Sequence, residues 1–232
     1  MNENQLSKRL NQVGAFVPTG SRLADIGSDH AYLPVSLMLQ GKIKFAVAGE
    51  VVRGPYASAV KQVRKSGLEN KIVVRLADGL DAVEEQDKID AVSICGMGGV
   101  LIRDILERGW NAKRINGSEL LILQPNIGER ELRVWLQQRG YTILEEAILE
   151  ENQKIYEIIC AKREVRTVQY TEAELLFGPV LITKKGDAFR KKWQRELKQR
   201  QNVVEQLKRS AADQSEKIKK IESEIRKIEE VL

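Results

Sequence analysis

Between residues 21 and 162 short apolar runs alternate with amphipathic stretches, and this rhythm constrains the fold more than any other feature of the 232-residue chain. A short apolar run bounded by turn residues is a buried strand, and apolar residues recurring every three or four positions are one face of a helix. Strict alternation of the two winds a chain around a parallel sheet. "RLADIG" is the first predicted strand, followed by a helix over "HAYLPVSLMLQGK". "KFAVAGE" is the second, and the helix after it carries Ala59, Val60, Val63 and Leu68 on one face with Gly67 near its end. "IVVRLADG", "IDAVSICGMGG" and "ELLILQP" are the third, fourth and fifth strands, with helices over "VLIRDILERGW" and "GERELRVWLQQRG". The pattern then changes. "YTILEEAILEENQKIYEIICAKRE" holds two strand-like runs and a polar loop too short for a crossover helix, so the pair is predicted to be an antiparallel hairpin. The expected architecture is α/β, a parallel sheet ending in an antiparallel hairpin.

The alternation stops near residue 164, which divides the chain into predicted domains 1–163 and 164–232. "TEAELLFGP" is a short capped helix stopped by Gly178 and Pro179. From Lys184 onward there is no proline and only Gly186. Leu197, Val204, Leu207, Ala211, Ile218, Ile221, Ile225, Ile228 and Leu232 fall at alternating three- and four-residue spacing, with Arg200 and Gln214 at two further seam positions. That is a coiled-coil stripe. A hairpin turning near "SAADQS" would satisfy it within a monomer, whereas one long helix would leave it for a weak dimer; the sequence allows both.

The chain carries 38 basic and 33 acidic residues, a formal charge of +5. No run approaches the roughly 18 to 20 apolar residues of a membrane span, and "MNENQLSKRL" lacks the apolar segment of a secretory signal, so the expected location is cytoplasmic. Cys95 and Cys160 lie in apolar runs and read as buried thiols. With a single histidine and no Cys/His cluster of zinc-ligand spacing, no metal is expected.

In a doubly wound sheet a ligand lies beyond the carboxyl ends of the strands. Here those ends carry Asp25, Gly27, Asp29 and His30 after strand one, Glu50 after strand two, Asp78 and Gly79 after strand three, and Gly96 to Gly99, with Met97 among them, after strand four. Four acids at these ends argue against phosphate. If Gly27 is the first glycine of a dinucleotide fingerprint, Asp29 stands at the second, where a carboxylate repels and obstructs a pyrophosphate. The GxxxxGK[ST] phosphate loop is absent as well. S-adenosylmethionine presents an ammonium, a sulfonium, a ribose diol and an adenine amine, and no phosphate. Glu50 is placed for the ribose hydroxyls and Asp78 for the adenine amine. Asp25 fixes the turn, and Asp29 or His30 lies near the methionine end. A single acid after a strand is equally a helix cap; it is the four in register that favour the cofactor.

"RLADIGSDHAYLP", "AGEVVRGPYASA", "GMGG", "QPN" and the helical tail together resemble the bacterial tRNA (adenine-N1)-methyltransferase family that modifies position 22 in the D-arm. The resemblance covers essentially the whole chain. It implies a Rossmann-like class I methyltransferase domain, S-adenosylmethionine as donor, tRNA as partner and a C-terminal coiled-coil domain. Ala31 departs from the wider methyltransferase pattern, in which a further glycine is common there. The Asn/Asp-Pro-Pro-aromatic loop of many base methyltransferases is replaced by "CGMGG". For the target base the candidates are Asp29, as a polar or electrostatic contact, and Asn126 at the base edge, the latter equally explicable as an N-cap for the helix near Gly128. Between Lys184 and Arg209 there are ten basic residues against three acidic ones, and residues 213 to 232 hold five basic against six acidic. Lys191, Lys192, Arg195 and Lys198 are therefore the predicted phosphate contacts. Residue pattern alone leaves open another methyltransferase substrate or a non-catalytic RNA-binding module; the atom and the tRNA position rest on the resemblance.

Overall fold

A computed structural model describes residues 6–165, 168–209 and 213–232. Its first element is one that the alternation does not announce, the helix α1 (Lys8–Phe16). The Ser7 hydroxyl caps it by accepting from the Leu10 N–H at 3.2 Å. The predicted series follows as β1 (Ser21–Ile26), α2 (Tyr32–Leu39), β2 (Ile43–Glu50), α3 (Arg53–Lys65), β3 (Ile72–Leu76), β4 (Ala91–Gly98), α4 (Gly99–Asn111), β5 (Leu120–Ile127), α5 (Glu129–Gln138), β6 (Tyr141–Glu151) and β7 (Lys154–Arg163). The seven strands form one sheet in the order β3-β2-β1-β4-β5-β7-β6. β1 pairs in parallel with both β2 and β4, which puts the topological switch point beyond the end of β1. β7 runs antiparallel to both β5 and β6, as the hairpin reading expects.

Strand alternation sends side chains to two cores. Ala24, Ile26, Leu121 and Leu123 face Ile102, Leu106 and Leu136 of α4 and α5. Leu23 and Ile122 face the layer of α1, α2 and α3. The result is three layers, with the ligand edge left open at the carboxyl ends of the parallel strands.

The tail comprises α6 (Glu172–Phe177), α7 (Leu181–Lys184), α8 (Asp187–Lys208) and α9 (Ser215–Val231). The apolar stripe is divided between α8 and α9, and the ion pairs Arg200–Glu224 and Lys208–Glu222 cross between them. The tail is thus a hairpin, and its own core of Phe177, Phe189, Trp193 and Ile228 packs on Ile148 of β6. In the stripe, Val204 and Ile228 are buried, whereas Leu207, Ile218, Ile221 and Ile225 are half-covered; Ala211 lies outside the described residues.

Buried charges join the tail to the sheet. Arg133 of α5, with no exposed side-chain surface, bridges Glu146 of β6 at 2.7 Å and Glu157 of β7 at 2.5 Å. Glu146 also accepts from the Val180 N–H at 2.9 Å, and Arg133 donates to the Leu175 and Leu176 carbonyls. Lys192 of α8 completes the set, reaching Glu157 at 2.8 Å and Glu129 at 2.6 Å. Gly178, at φ +89, passes so close that a Cβ there would lie 2.6 Å from Glu146 Oε2. Burial alone would raise the Glu157 carboxyl, but the Arg133 and Lys192 charges together with their hydrogen bonds outweigh it and hold it below the ordinary range.

Candidate functional site

The loop after β1 is laid against the end of β2. The N–H groups of Gly27 and Ser28 both donate to the Gly49 carbonyl, at 2.9 and 3.2 Å. Asp25 lies beneath the loop and accepts from the Ser28 hydroxyl at 2.5 Å and the Ser93 hydroxyl at 2.6 Å. Burial raises its carboxyl above the ordinary value despite both hydrogen bonds and the Arg9 charge. These bonds tie the loop to β4. Gly27 has φ +71, and a Cβ there would lie 2.1 Å from Met97 Cε, so this glycine is required both by backbone conformation and by the side chain resting on it. Asp29 and Ala31 follow, each at φ 55, in the left-handed region that non-glycine residues occupy at a cost of about 1–2 kcal/mol. The departure from glycine at position 31 therefore leaves the loop path intact and stores strain in it.

Glu50, at the end of β2, accepts from the Asp29 N–H and so orients this strained segment. Burial pushes its carboxyl up; the Asp29 hydrogen bond opposes this, and the charges of Asp29 and Asp25 add to it. Asp25, Gly27, Asp29, Glu50, Gly96 and Met97 line one pocket of about 380 Å³, within the usual range for a small-molecule site. Six of the predicted ligand residues thus converge. His30 does not join them: its ring stacks on Tyr32 with centroids 5.1 Å apart, and Nε2 lies 3.5 Å from the Asp29 carboxylate. Asp78 and Gly79 lie outside the lining as well. The Asp78 carboxylate is engaged by Arg108 of α4 at 2.7 and 3.0 Å, a partner 30 positions away. Gly79 is buried with φ +59, and a Cβ there would lie 3.0 Å from Ile105, so it serves the seating of α4.

Sequence reasoning missed the other side of the pocket. Arg9 of α1 lines it, donating to Gln124 Oε1 while its guanidinium lies 5.5 Å from the Tyr156 ring centroid. Gln124 of β5 is fully buried and also accepts from the Gly96 N–H at 3.0 Å. The signals available were the Ser7 cap and the apolar Leu10, Val13 and Val17 at helical spacing. Nothing local pointed Arg9 at a residue 115 positions on.

Asn126 is not the cap of α5; Gly128 occupies that position, at φ +81 and with no side-chain hydrogen bond. Asn126 Nδ2 instead donates to the Gly96 carbonyl at 2.7 Å, and Oδ1 accepts from Gln124 at 3.3 Å. It stands at the border of a second, larger cleft of about 1160 Å³, whose walls include Ile127, Tyr156, Arg195 and Arg200 and which runs between the β5–α5 turn and the tail.

The tail cations are more committed than their count suggests. Lys192 is in the buried network, which corrects its reading as a phosphate contact, because its ammonium serves two carboxylates inside the protein. Lys191 and Arg195 both hold Glu150, at 2.5 and 3.1 Å, in exposed pairs worth only about 0–1 kcal/mol and open to exchange for phosphate. Lys198 is exposed and has no ion-pair partner among the described residues. Within those residues there is also no group of His, Cys, Asp and Glu fit to hold a metal, and no helix is long and apolar enough to cross a membrane.

The chain as a whole, sheet and helical tail together, has counterparts among known proteins. Residues 23–230 match the model of the tRNA (adenine(22)-N(1))-methyltransferase family, TrmK. The tRNA (adenine(22)-N(1))-methyltransferase of Bacillus subtilis is 42% identical over 100% of this chain and 99% of its own. A Streptococcus pneumoniae protein crystallised with S-adenosyl-L-methionine superposes with a TM-score of 0.90 at 44% identity, over 98% of this chain and 100% of that one. M. capricolum TrmK, solved with S-adenosyl-homocysteine, gives 0.85 at 30% identity, over 97% and 96% of the two chains. With its fold and nearly its whole length in common with these proteins, the chain belongs to the tRNA (adenine(22)-N(1))-methyltransferase family.

Proposed function

We propose that this protein transfers a methyl group from S-adenosylmethionine to N1 of adenine 22 in the D-arm of tRNA. The observation that carries the reading is the convergence of Asp25, Asp29 and Glu50 on a pocket whose glycine loop closes under Met97. Such a lining suits a cationic, phosphate-free donor. Bound there, S-adenosylmethionine supplies an electrophilic methyl group on a sulfonium. Glu50 accepts from the Asp29 and Val51 N–H groups, and its remaining lone pairs would take the ribose hydroxyls. Arg9, the one cation in the lining among the described residues, is the partner for the donor's carboxylate. Gly27 permits the close approach, and Met97 packs beside the reacting groups.

The adenine N1 lone pair is free at neutral pH, so no general base is needed. What remains is to hold N1 about 3–3.5 Å from the methyl carbon in a dry site, which can supply several kcal/mol of the barrier. Methylated adenine is cationic, and Asp29, its side chain 64% exposed at the pocket mouth, stabilises that charge as it develops. Asn126, steadied on the Gly96 carbonyl, keeps acceptor capacity on Oδ1 for the adenine amino group. The cleft between the β5–α5 turn and the tail receives the RNA, with Lys191, Arg195 and Lys198 on its phosphates. The hairpin tail covers enough of its own stripe for the protein to act as a monomer, and its place of work is the cytoplasm.

Labelled methyl donor and an unmodified tRNA transcript test the proposal. Label should enter the transcript and arrest reverse transcription at position 22, and a transcript with guanine there should take up none. Label in a protein or small-molecule acceptor, with none in tRNA, would overturn it.

A further inference from the structure

Five of the ten large hydrophobic side chains exposed among the described residues stand at or just beyond the carboxyl ends of β2, β4 and β5, the edge on which the donor pocket lies. Val51 and Val52 follow β2, Val100 and Leu101 open α4, and Ile127, at 73% the most exposed of the five, ends β5. Single exposed aliphatics need no explanation, but a group of them along one ligand edge marks a surface that meets a ligand. Ile127 is set apart from the others by three observations. It lines the larger cleft, where the RNA is to lie. It directly follows Asn126, whose amide is tied to the Gly96 carbonyl of the donor pocket. Its backbone is constrained on both sides, because it pairs with Gly98 in the ladder and the next carbonyl, of Gly128, abuts Gly99 so closely that a Cβ on Gly99 would lie 2.1 Å from it. A constrained turn thus presents one aliphatic side chain at the seam between the RNA cleft and the methyl-donor pocket.

N1 lies on the pairing edge of adenine, so the base must leave its stack to react, at a cost of a few kcal/mol. Proteins that open a stack commonly insert an apolar side chain into the gap. We propose that Ile127 is that wedge: it enters the space vacated by the target adenine and holds the RNA open while the base occupies the pocket beside Asn126. The neighbouring Val100 and Leu101 extend the apolar surface on the same side. The inference rests on the methyl-transfer reading and adds to it how the buried edge of the base is reached.

The test uses two transcripts, the intact tRNA and one in which the nucleotide facing adenine 22 is deleted so that the adenine is already unpaired. Under single-turnover conditions Ile127→Ala should slow the intact substrate by about tenfold or more and the unpaired one by less than about twofold, because only the first requires the stack to be opened. Donor affinity, measured by calorimetry, should be unchanged, and Ile127→Leu, which keeps the bulk, should retain the rate on both. 2-Aminopurine in place of adenine 22 should brighten on binding wild-type protein and not on binding Ile127→Ala. Equal slowing of both transcripts, or of neither, overturns the wedge. Failure of the wild-type protein to methylate either transcript would instead remove the methyl-transfer reading, and the wedge with it.

Discussion

At the pocket the decisive residues are small or ionisable, and each makes a separate demand. An alanine at Gly27 has to adopt φ +71, at a cost of about 1–2 kcal/mol, and displace Met97 Cε from 2.1 Å. Gly27→Ala should therefore weaken donor binding at least about tenfold by calorimetry, and adding Met97→Ala should recover only the part due to the clash, since the backbone strain remains. Glu50 gives a pH signature. Burial raises its carboxyl, and the ribose hydroxyls bind the ionised form. Donor affinity should be full above that raised value and should fall as pH drops through it, beginning above the ordinary glutamate range; Glu50→Gln should bind more weakly with no such dependence. A wild-type affinity that stays flat on acidification would show that Glu50 does not carry the diol.

Among the elements, α5 matters most, because it begins at the target-base turn and carries Arg133 into the buried network. Removing one partner of a buried pair leaves an uncompensated charge, so Arg133→Met, which strands Glu146 and leaves Glu157 only Lys192, should lower stability by about 3–5 kcal/mol in urea unfolding. Lys192→Met should cost less, about 1–3 kcal/mol, since Glu157 keeps Arg133. The sign with pH follows. Glu157 is held low, so its contribution is present above its unfolded pKa and is lost as pH falls through its folded one. Glu146 is held high by burial, so its ionisation costs stability at neutral pH, a cost relieved on acidification. Lys192→Met raises the folded Glu157 value and should shift acid unfolding to higher pH. The strands were legible in sequence because β-branched runs and turn residues are local signals. α1 is short and sits before the alternation begins, and its contacts, Arg9 to Gln124 and the Lys8 N–H to Glu151 at 2.7 Å, span more than 100 positions. The Asp78–Arg108 pair was hidden for the same reason.

Over the whole molecule, the count of charges differs from the charge left free for a partner. The count of ten tail cations overstates what is free, because several of them close internal pairs. Lys198→Ala should weaken tRNA binding and reduce the slope of log affinity against log salt by about 1, whereas Lys192→Met should leave that slope unchanged. Equal slopes for Lys198→Ala and wild type would take Lys198 off the RNA path. The two-domain division also needs reading with the network in mind. A fragment ending at residue 163 loses the Val180 N–H that Glu146 accepts and the carbonyls that Arg133 holds. It should melt below the intact chain in a thermal scan.

Helix α1 has a practical consequence. Glu151 receives its opening amides, and two residues of its first turn, Arg9 and Leu10, border the cavity for the methyl donor. Loosening the Ser7 cap or the Glu151 anchor therefore reaches the chemistry, and Glu151→Ala would be read out as altered cofactor uptake.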